Sequence, residues 1–171
     1  MSLTKTSPKA GQLVGSKHVD TLLSNYKKER WVNNSKQLGK DDSLSVWYGM
    51  NELNEFMQLS RDNGADGVRM YFGVYPEGFE KMPEYGGRQT IVMVATKAKR
   101  TEDGRIVTKN IYYQTEKGSE LLAFNLSALC PPMCNPYDDP SNPDGSGIFF
   151  SYDQGLGLTM VKNDDGDTVV L

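Results

Sequence analysis

A change of hydrophobic period along the chain constrains the fold more than any other feature of the sequence. In the first part, up to about residue 63, apolar residues recur every three or four positions, which is typical of amphipathic helices. From Gly67 onward they recur at every second position, which is typical of β-strands. Helices followed by strands predict an α+β fold with a mainly antiparallel sheet and the N-terminal helices packed on one face.

Two helices are predicted before this change. The first covers residues 16–30 and has an apolar stripe formed by Val19, Leu22, Leu23 and Tyr26. Residues 31–42 are polar and are predicted to be a connection. The second helix begins after Gly49, because Glu52 has the spacing of a capping box, and it ends at Asn63-Gly64.

The strands are predicted from alternation and from one turn signal. Residues 67–75 place four apolar side chains on one face, namely Val68, Met70, Phe72 and Val74. Residues 89–97 are almost continuously apolar, as expected for a central strand. Asp103-Gly104 is a two-residue hairpin turn, so residues 89–99 are predicted to pair antiparallel with residues 105–114.

The C-terminal third is less regular. Residues 119–128 fit a short helix and an extended segment about equally well, and residues 135–147 are predicted to be an irregular loop. Late strands are predicted at three places, residues 148–152, 158–162 and 168–171. We expect one domain over residues 1–171, with residues 1–15 flexible.

One set of motifs resembles a group of bacterial proteins of uncharacterised function. The motifs are an amphipathic helix after Trp47-Tyr48, the strand at residues 67–75, an apolar strand after it, and a Cys-Pro-Pro-Met-Cys element that ends at Cys134. The resemblance covers roughly residues 16–134. It implies a cytoplasmic location and implies no activity.

Composition excludes several classes of function. The chain has 171 residues, two cysteines, one histidine and a formal net charge of −3. These numbers argue against a disulfide-rich scaffold and against most histidine-based catalytic or metal sites. No apolar stretch is long enough for a signal peptide or a membrane span, so we expect a cytoplasmic protein. Glycine-rich phosphate-binding motifs are absent.

The charge is unevenly distributed along the chain. Residues 1–50 carry eight bases and four acids, whereas residues 128–171 carry one base and seven acids. The simplest interpretation is that these oppositely charged regions face each other in the fold. An acidic surface for a basic partner is the alternative.

Arg69 is the strongest candidate for a binding residue. Its predicted strand face also carries Tyr71 and Tyr75, with a gap at Gly73. A guanidinium framed by tyrosines can hold a carboxylate or phosphate. The alternatives are an arginine on the solvent face that pairs with an acid or a tyrosine hydroxyl, and a protein interface.

Cys130 and Cys134 flank two prolines. Zinc needs four ligands, and these thiols with His18 do not supply them, so no metal is predicted. In a reducing compartment the simplest interpretation is a structural pair of free thiols. A disulfide, which requires the Cα atoms to approach within about 7 Å, stays open, as does a metal site completed by other groups. His18 is interpreted as a solvated surface residue.

Two further charged features receive simple interpretations. The predicted hairpin tip gathers five basic residues, Lys97, Lys99, Arg100, Arg105 and Lys109. The chain is acidic overall and the aromatic residues lie far from the tip, so nucleic acid is not the expected partner. The segments at residues 142–145 and 164–167 superficially resemble calcium loops, but they lack the EF-hand ligand pattern and are interpreted as turns.

The sequence therefore contains no recognisable catalytic constellation, and no catalytic residue or cofactor is predicted. We expect a non-catalytic interaction protein that binds a protein partner. The alternative is a binder of a small anionic ligand, or an enzyme, that uses Arg69, Tyr71 and Tyr75. No oligomeric state is predicted.

Overall fold

The computed structural model of the chain describes residues 10–134 and two short strands, Met160–Lys162 and Thr168–Val170. In this part of the chain the fold is α+β, and every strand pair is antiparallel. The fold class predicted from the sequence is confirmed. Several predictions fall outside the described residues. They are the loop at residues 135–147, the strand at residues 148–152, the turns at residues 142–145 and 164–167, and most of the segment at residues 1–15 that was expected to be flexible.

The first helical region is longer than predicted. It consists of α1 (Ser16–Tyr26), a π-helical turn (Lys27–Trp31) and α2 (Val32–Leu38), and it ends at Gly39 with a φ of 72°. The prediction of a connection from residue 31 is wrong. A π-helical turn brings Trp31, five residues after Tyr26, to the same side of the helix, and a period of 3.6 residues misses this relation.

The other elements follow in chain order. The helix α3 spans Met50–Asp62, and a 3₁₀ turn spans Pro83–Tyr85. The strands are β1 (Ser45–Trp47), β2 (Gly67–Val74), β3 (Gln89–Arg100), β4 (Ile106–Asn110), β5 (Tyr112–Thr115), β6 (Gly118–Leu121), β7 (Ala123–Phe124), β8 (Ala128–Cys130), β9 (Met160–Lys162) and β10 (Thr168–Val170).

The strand β3 is the centre of the main sheet. One edge of β3 pairs with all eight residues of β2, from Gly67 opposite Thr96 to Val74 opposite Gln89. The other edge is shared by β4 and β7. Three further pairs, β1 with β8, β5 with β6 and β9 with β10, form two-stranded sheets.

The predicted hairpin is confirmed in its first half and corrected in two details. β3 and β4 pair antiparallel, but their loop has three residues, because the Thr101 N–H donates to the Arg105 carbonyl over 2.8 Å. Only Gly104 in this loop has a positive φ, of 84°. This is the hairpin in which a type I turn is followed by a left-handed glycine.

The second half of the predicted returning strand leaves the sheet. At Ile111 the side chain turns into the core, and its N–H donates to the Ala95 carbonyl over 2.9 Å. Its own carbonyl accepts a hydrogen bond from Leu122, so the chain between them projects as the β5–β6 hairpin. One continuous strand over residues 105–114 is therefore wrong beyond Asn110.

The later elements are extended. Residues 119–128, for which helix and strand were both open, form parts of β6, β7 and β8. The predicted strands at residues 158–162 and 168–171 are confirmed as β9 and β10 with slightly narrower bounds.

The core has two parts. In the first, α3 packs on the sheet through Phe56, whose ring stacks 5.1 Å from that of Phe124 above the buried Met93 and Ala95. The start of α3 is capped as predicted, since Glu52 Oε1 accepts the Gly49 N–H at 2.6 Å. The second part groups three buried side chains, Tyr75, Tyr85 and Leu129. Among the described helices, none has the length and apolar character needed to cross a membrane.

Candidate interaction surface

Arg69 lies exposed on the face of the sheet opposite α3, where the register with Val94 places it. Its Nη1 donates to the Tyr71 hydroxyl at 3.2 Å, and its Nη2 donates to the Thr108 hydroxyl. The guanidinium carbon lies 5.9 Å from the centre of the Tyr71 ring. These contacts agree with the interpretation of an exposed arginine held by hydroxyl groups. Within the described residues the ion pair joins Arg105 and Asp103, and Arg69 has no carboxylate partner.

Tyr75 does not belong to the Arg69 cluster. It follows the end of β2 and is buried, and its hydroxyl donates to Asn125 Oδ1 at 2.7 Å. Its ring lies 4.6 Å from the Phe79 ring and 5.5 Å from the Tyr85 ring. The structure therefore does not bring Tyr75 together with Arg69 and Tyr71, because the Tyr75 ring is buried against aromatic residues beyond β2 while the other two side chains are exposed.

The apolar side chains predicted for one face of β2 do lie on one face of the sheet, but most of them are exposed and not buried as expected. Of the row only Val68 packs against the core. Met70, Phe72 and Val74 are 64%, 82% and 68% exposed, and we call these three residues the outer row. The helix α3 packs over β3 and β7, and the core around Phe56 does not extend to the outer row.

The outer row lies on a strand with a free edge. Among the described strands β2 pairs with β3 alone, so its second edge presents unpaired backbone N–H and C=O groups. Edge strands usually discourage pairing by means of charged residues, prolines or bulges. The eight residues of β2 contain one charged residue, Arg69, and no proline.

A groove joins the outer row to the first helix. It has a volume of about 240 Å³, and its apolar lining includes Leu23 and Tyr26 of α1 together with Phe72 and Ile91 of the sheet. The apolar stripe predicted for the first helix therefore faces a groove, and Leu22 and Leu23 remain largely exposed. A second concave region lies at the hairpin tip, and neither region includes Arg69.

Asp42 is a buried connecting residue that the sequence did not indicate. Its Oδ1 accepts the N–H groups of Ser43 and Gln89, each at 2.7 Å, and its Oδ2 accepts Asn34 Nδ2 at 3.2 Å. Its carbonyl accepts Trp31 Nε1 at 2.6 Å. We call this set the Asp42 junction. It fixes the second half of the long helix to the start of β3, and only the Asp-Ser turn pair hinted at it.

The two cysteines form a disulfide. Their Cα atoms lie 4.3 Å apart, and the Met133 N–H donates to the Leu129 carbonyl at 2.6 Å across the turn. The expectation of free thiols is corrected in favour of the disulfide that the sequence left open, because the turn brings the Cα atoms within bonding range. The Tyr85 hydroxyl lies 3.0 Å from Met133 Sδ and donates to the Ser127 carbonyl at 3.1 Å. The chain thus leaves the described body beside Tyr85.

Arg88 is a second residue that the sequence did not single out. The residue is only 7% exposed, and its Nε donates to the Glu84 carbonyl at 2.9 Å. Its Nη1 is buried without a hydrogen-bond partner in the part of the chain that the structure describes. A buried guanidinium nitrogen without a hydrogen-bond partner is unfavourable.

The basic hairpin tip is partly neutralised. Arg105 Nε donates to Asp103 Oδ2 at 2.6 Å, and Arg100 Nη1 donates to the Gly104 carbonyl at 2.9 Å. Hydrogen bonds from Thr101 and Arg105 lower the pKa of Asp103 below its ordinary value. Lys97 and Lys109 are directly opposite each other and exposed.

The other titratable groups of the described residues lie apart from Arg69. His18 is exposed in the first turn of α1, as predicted. Burial raises the pKa of three tyrosines, Tyr26, Tyr48 and Tyr85. Within residues 10–134 and the two late strands, no three His, Cys, Asp or Glu side chains are grouped as they would be around a metal ion.

Comparison with known proteins gives no relative from which a role could be transferred. No family model matches the chain, and neither a curated protein nor a solved structure matches it. The resemblance to a group of bacterial proteins stays a prediction.

Proposed function

We propose that this protein is a non-catalytic interaction protein whose partner is another protein that binds along β2 in an extended conformation. The observation that carries the proposal is the coincidence of a free strand edge with the exposed outer row. Exposed apolar side chains are common singly, but a contiguous row on an unpaired edge is unusual for a protein surface without a partner.

The chemistry of this surface defines the partner. An added strand forms main-chain hydrogen bonds with the free edge, and its alternate side chains cover the outer row. Burial of a side chain as exposed as Phe72 contributes about 1.5–3 kcal/mol. A partner segment with apolar residues at every second position satisfies both requirements.

Peptide display tests this function directly. Short displayed peptides are selected on the purified full chain, and the affinity of the selected peptides is measured by fluorescence anisotropy. We expect sequences with alternating apolar residues, and we expect Phe72→Asp to weaken their binding at least about tenfold, or about 1.4 kcal/mol.

Ile106→Asp is the matched control, since Ile106 is also an exposed apolar side chain on a strand at the sheet edge. It should leave the affinity unchanged. Selected peptides that bind equally well to Phe72→Asp and to the wild type would refute the assignment of this function to β2.

The binding of a small anion by Arg69 is a second candidate. It is favoured by one observation, that the partners of the exposed guanidinium are the hydroxyls of Tyr71 and Thr108 and not an acid. An anion present at about 100 times its Kd would raise stability by roughly 2.7 kcal/mol, and Arg69→Ala would abolish that gain. Melting curves of both proteins across a panel of anions decide this candidate.

The location of the protein is a separate question. A cytoplasmic location, expected from the sequence, requires that the Cys130–Cys134 disulfide persist in a reducing environment. Structural disulfides are characteristic of oxidising compartments. The disulfide therefore favours an oxidising compartment, and alkylation of thiols in intact cells before lysis tests it. Rapid labelling of both cysteines would support the cytoplasm instead.

A further inference from the structure

We infer that the partner of the surface along β2 is a second copy of this chain, whose own β2 adds antiparallel to the free edge about a two-fold axis. The inference rests on the proposed function, because it names the partner of the same surface. An added strand must have apolar residues at every second position, and β2 itself has them in Val68 and the outer row. The chain therefore contains a segment that fits its own free edge.

The backbone of β2 presents its free hydrogen-bonding groups on the same apolar residues. The Tyr75 N–H donates to the Arg88 carbonyl at 3.0 Å, one step beyond the pairing of Val74 with Gln89. Hydrogen-bonded and non-hydrogen-bonded pairs alternate along an antiparallel ladder, so the odd-numbered residues of β2 bond to β3. The N–H and C=O groups of Val68 and of the outer row consequently point to the free edge.

One register pairs all of these outward-facing groups. With a two-fold axis at Tyr71, every outward-facing residue of one strand lies opposite an outward-facing residue of the other, and about eight main-chain hydrogen bonds form. The apolar pairs are Val68 with Val74 and Met70 with Phe72. An axis at Met70 or at Phe72 would leave one outward-facing residue of each copy beyond the end of the other strand.

The charges of the strand are compatible with this register. Arg69 is the charged residue of β2, and it lies opposite Gly73 of the second copy. Like charges directly opposite each other destabilise a sheet, whereas here the arginine faces a residue without a side chain. Its hydrogen bonds to Tyr71 and Thr108 can therefore persist. Residues 10–134 carry 16 basic and 15 acidic residues, so their net charge does not hold two copies apart.

The exposed apolar area is sufficient for a dimer. The outer row is continued on α1 by Leu23, which lines the groove together with Phe72, and by the exposed Leu22. The exposed parts of these five side chains supply on the order of 500 Å² per copy, and a specific interface needs about 1,000 Å² in total. Two copies thus offer enough apolar surface without any further contact.

Sedimentation equilibrium of the full chain tests the dimer. At micromolar concentration we expect a mass about twice the 19.1 kDa of one chain. Phe72→Asp should raise the Kd of the dimer at least about a hundredfold, because each dimer contains the substitution twice and each copy costs about tenfold. Phe72 is largely exposed within one chain, so the variant should keep its fold, which circular dichroism checks. Ile106→Asp is the control and should leave the Kd unchanged.

A cross-link tests the register independently of these losses. Tyr71 lies opposite its own counterpart in a non-hydrogen-bonded pair, where Cα atoms are about 4.5 Å apart, close enough for a disulfide. Cys130 and Cys134 are already paired, so Tyr71→Cys adds the one free thiol. Oxidised glutathione should take two electrons and two protons from two such thiols, joining the copies and releasing two molecules of reduced glutathione. Tyr112→Cys, at an exposed tyrosine of β5, is the control and should stay unlinked.

Four outcomes would overturn the inference. They are a mass of one chain at every concentration, a Kd that Phe72→Asp leaves unchanged, no covalent dimer of Tyr71→Cys on a non-reducing gel, and equal cross-linking of Tyr71→Cys and Tyr112→Cys.

The displayed peptides separate this inference from the proposed function. A chain that stays monomeric but binds selected peptides through Phe72 would refute the second copy and keep a different protein as the partner. A dimer that Phe72→Asp dissociates, with no selected peptide that depends on Phe72, would keep the second copy and refute a different partner.

Discussion

The Asp42 junction and the outer row of β2 border the same groove and have opposite characters. Ser43, next to Asp42, and Phe72 both line this groove. The charged Asp42 is buried and its carboxylate accepts three hydrogen bonds. The apolar Phe72 is 82% exposed.

The difference shows that residue type alone does not decide burial at this surface. A carboxylate is buried where backbone N–H groups and an amide converge on it, because these donors replace the lost water. An apolar row is exposed where no element of the described body reaches it. The first region is complete within residues 10–134, whereas at the second the described residues leave an apolar row exposed and one edge of β2 unpaired.

Removal of the Asp42 carboxylate should have the largest effect on the free energy of unfolding. Asp42→Ala leaves the N–H groups of Ser43 and Gln89 without their acceptor in a buried position. We expect a loss of about 4 kcal/mol in the free energy of unfolding, measured by urea denaturation. Asp41→Ala, at the exposed neighbouring residue, is the control and should change the stability by less than about 0.5 kcal/mol. Similar losses in both variants would show that Asp42 does not anchor the helix.

Truncation of one buried and one exposed methionine on the same face of the sheet tests the contrast between the core and the outer row. Met93 and Met70 are directly opposite each other in the β2–β3 register, but Met93 is buried and Met70 is exposed. Met93→Ala should lower the stability by about 3 kcal/mol, and Met70→Ala by about 1 kcal/mol or less. Equal losses in urea denaturation would mean that the outer row is as tightly packed as the core.

Removal of the Tyr85 hydroxyl should have an intermediate effect on the free energy of unfolding, and this effect should depend on pH. Tyr85→Phe removes hydrogen bonds to Ser127 and Leu129 and should cost about 1.5 kcal/mol at neutral pH. Burial raises the pKa of Tyr85 in the folded chain above the unfolded value.

The direction of this shift fixes the pH dependence. A raised pKa in the folded chain means that the stabilisation is complete below about pH 10 and is lost as the pH rises through the folded value. Thermal melts between neutral pH and about pH 11 should show a shallower alkaline decline in Tyr85→Phe than in the wild type. An equal decline in both proteins would assign it to other groups, such as Tyr26 and Tyr48.

Substitution of Leu126 should have the smallest effect on stability, and it should increase the stability. It has a φ of 73° and is exposed beside the core around Tyr85, so its backbone conformation is strained for a residue with a side chain. Leu126→Gly should stabilise the protein by about 0.5–1 kcal/mol. A decrease in the melting temperature would show instead that the Leu126 side chain makes a contact that outweighs the strain.

The sequence predicted those features that depend on local periodicity. The helix over Met50–Asp62 repeats at 3.6 residues and has a capping glutamate, and β2 and β3 show alternation and a continuous apolar run. These patterns arise within one element and require no knowledge of its neighbours. The class of fold was predicted for the same reason.

Features that depend on tertiary contacts were missed. The extension of the first helix relies on a π-helical turn and on Trp31 and Asn34, which bond to Asp42 across the junction. Tyr75 continues the alternation of β2, yet its environment is decided by Asn125, 50 residues further along the chain. The exposure of the outer row depends on where α3 packs, which no residue of β2 encodes.

The Asp42 junction has a consequence for the speed of folding. The Gln89 N–H that donates to Asp42 Oδ1 lies 47 residues further along the chain, so the contact closes a large loop. Contacts between residues that are far apart in the sequence slow the folding of a chain. The residues that join the helical region to the sheet are therefore also residues whose contacts limit how fast this fold can form.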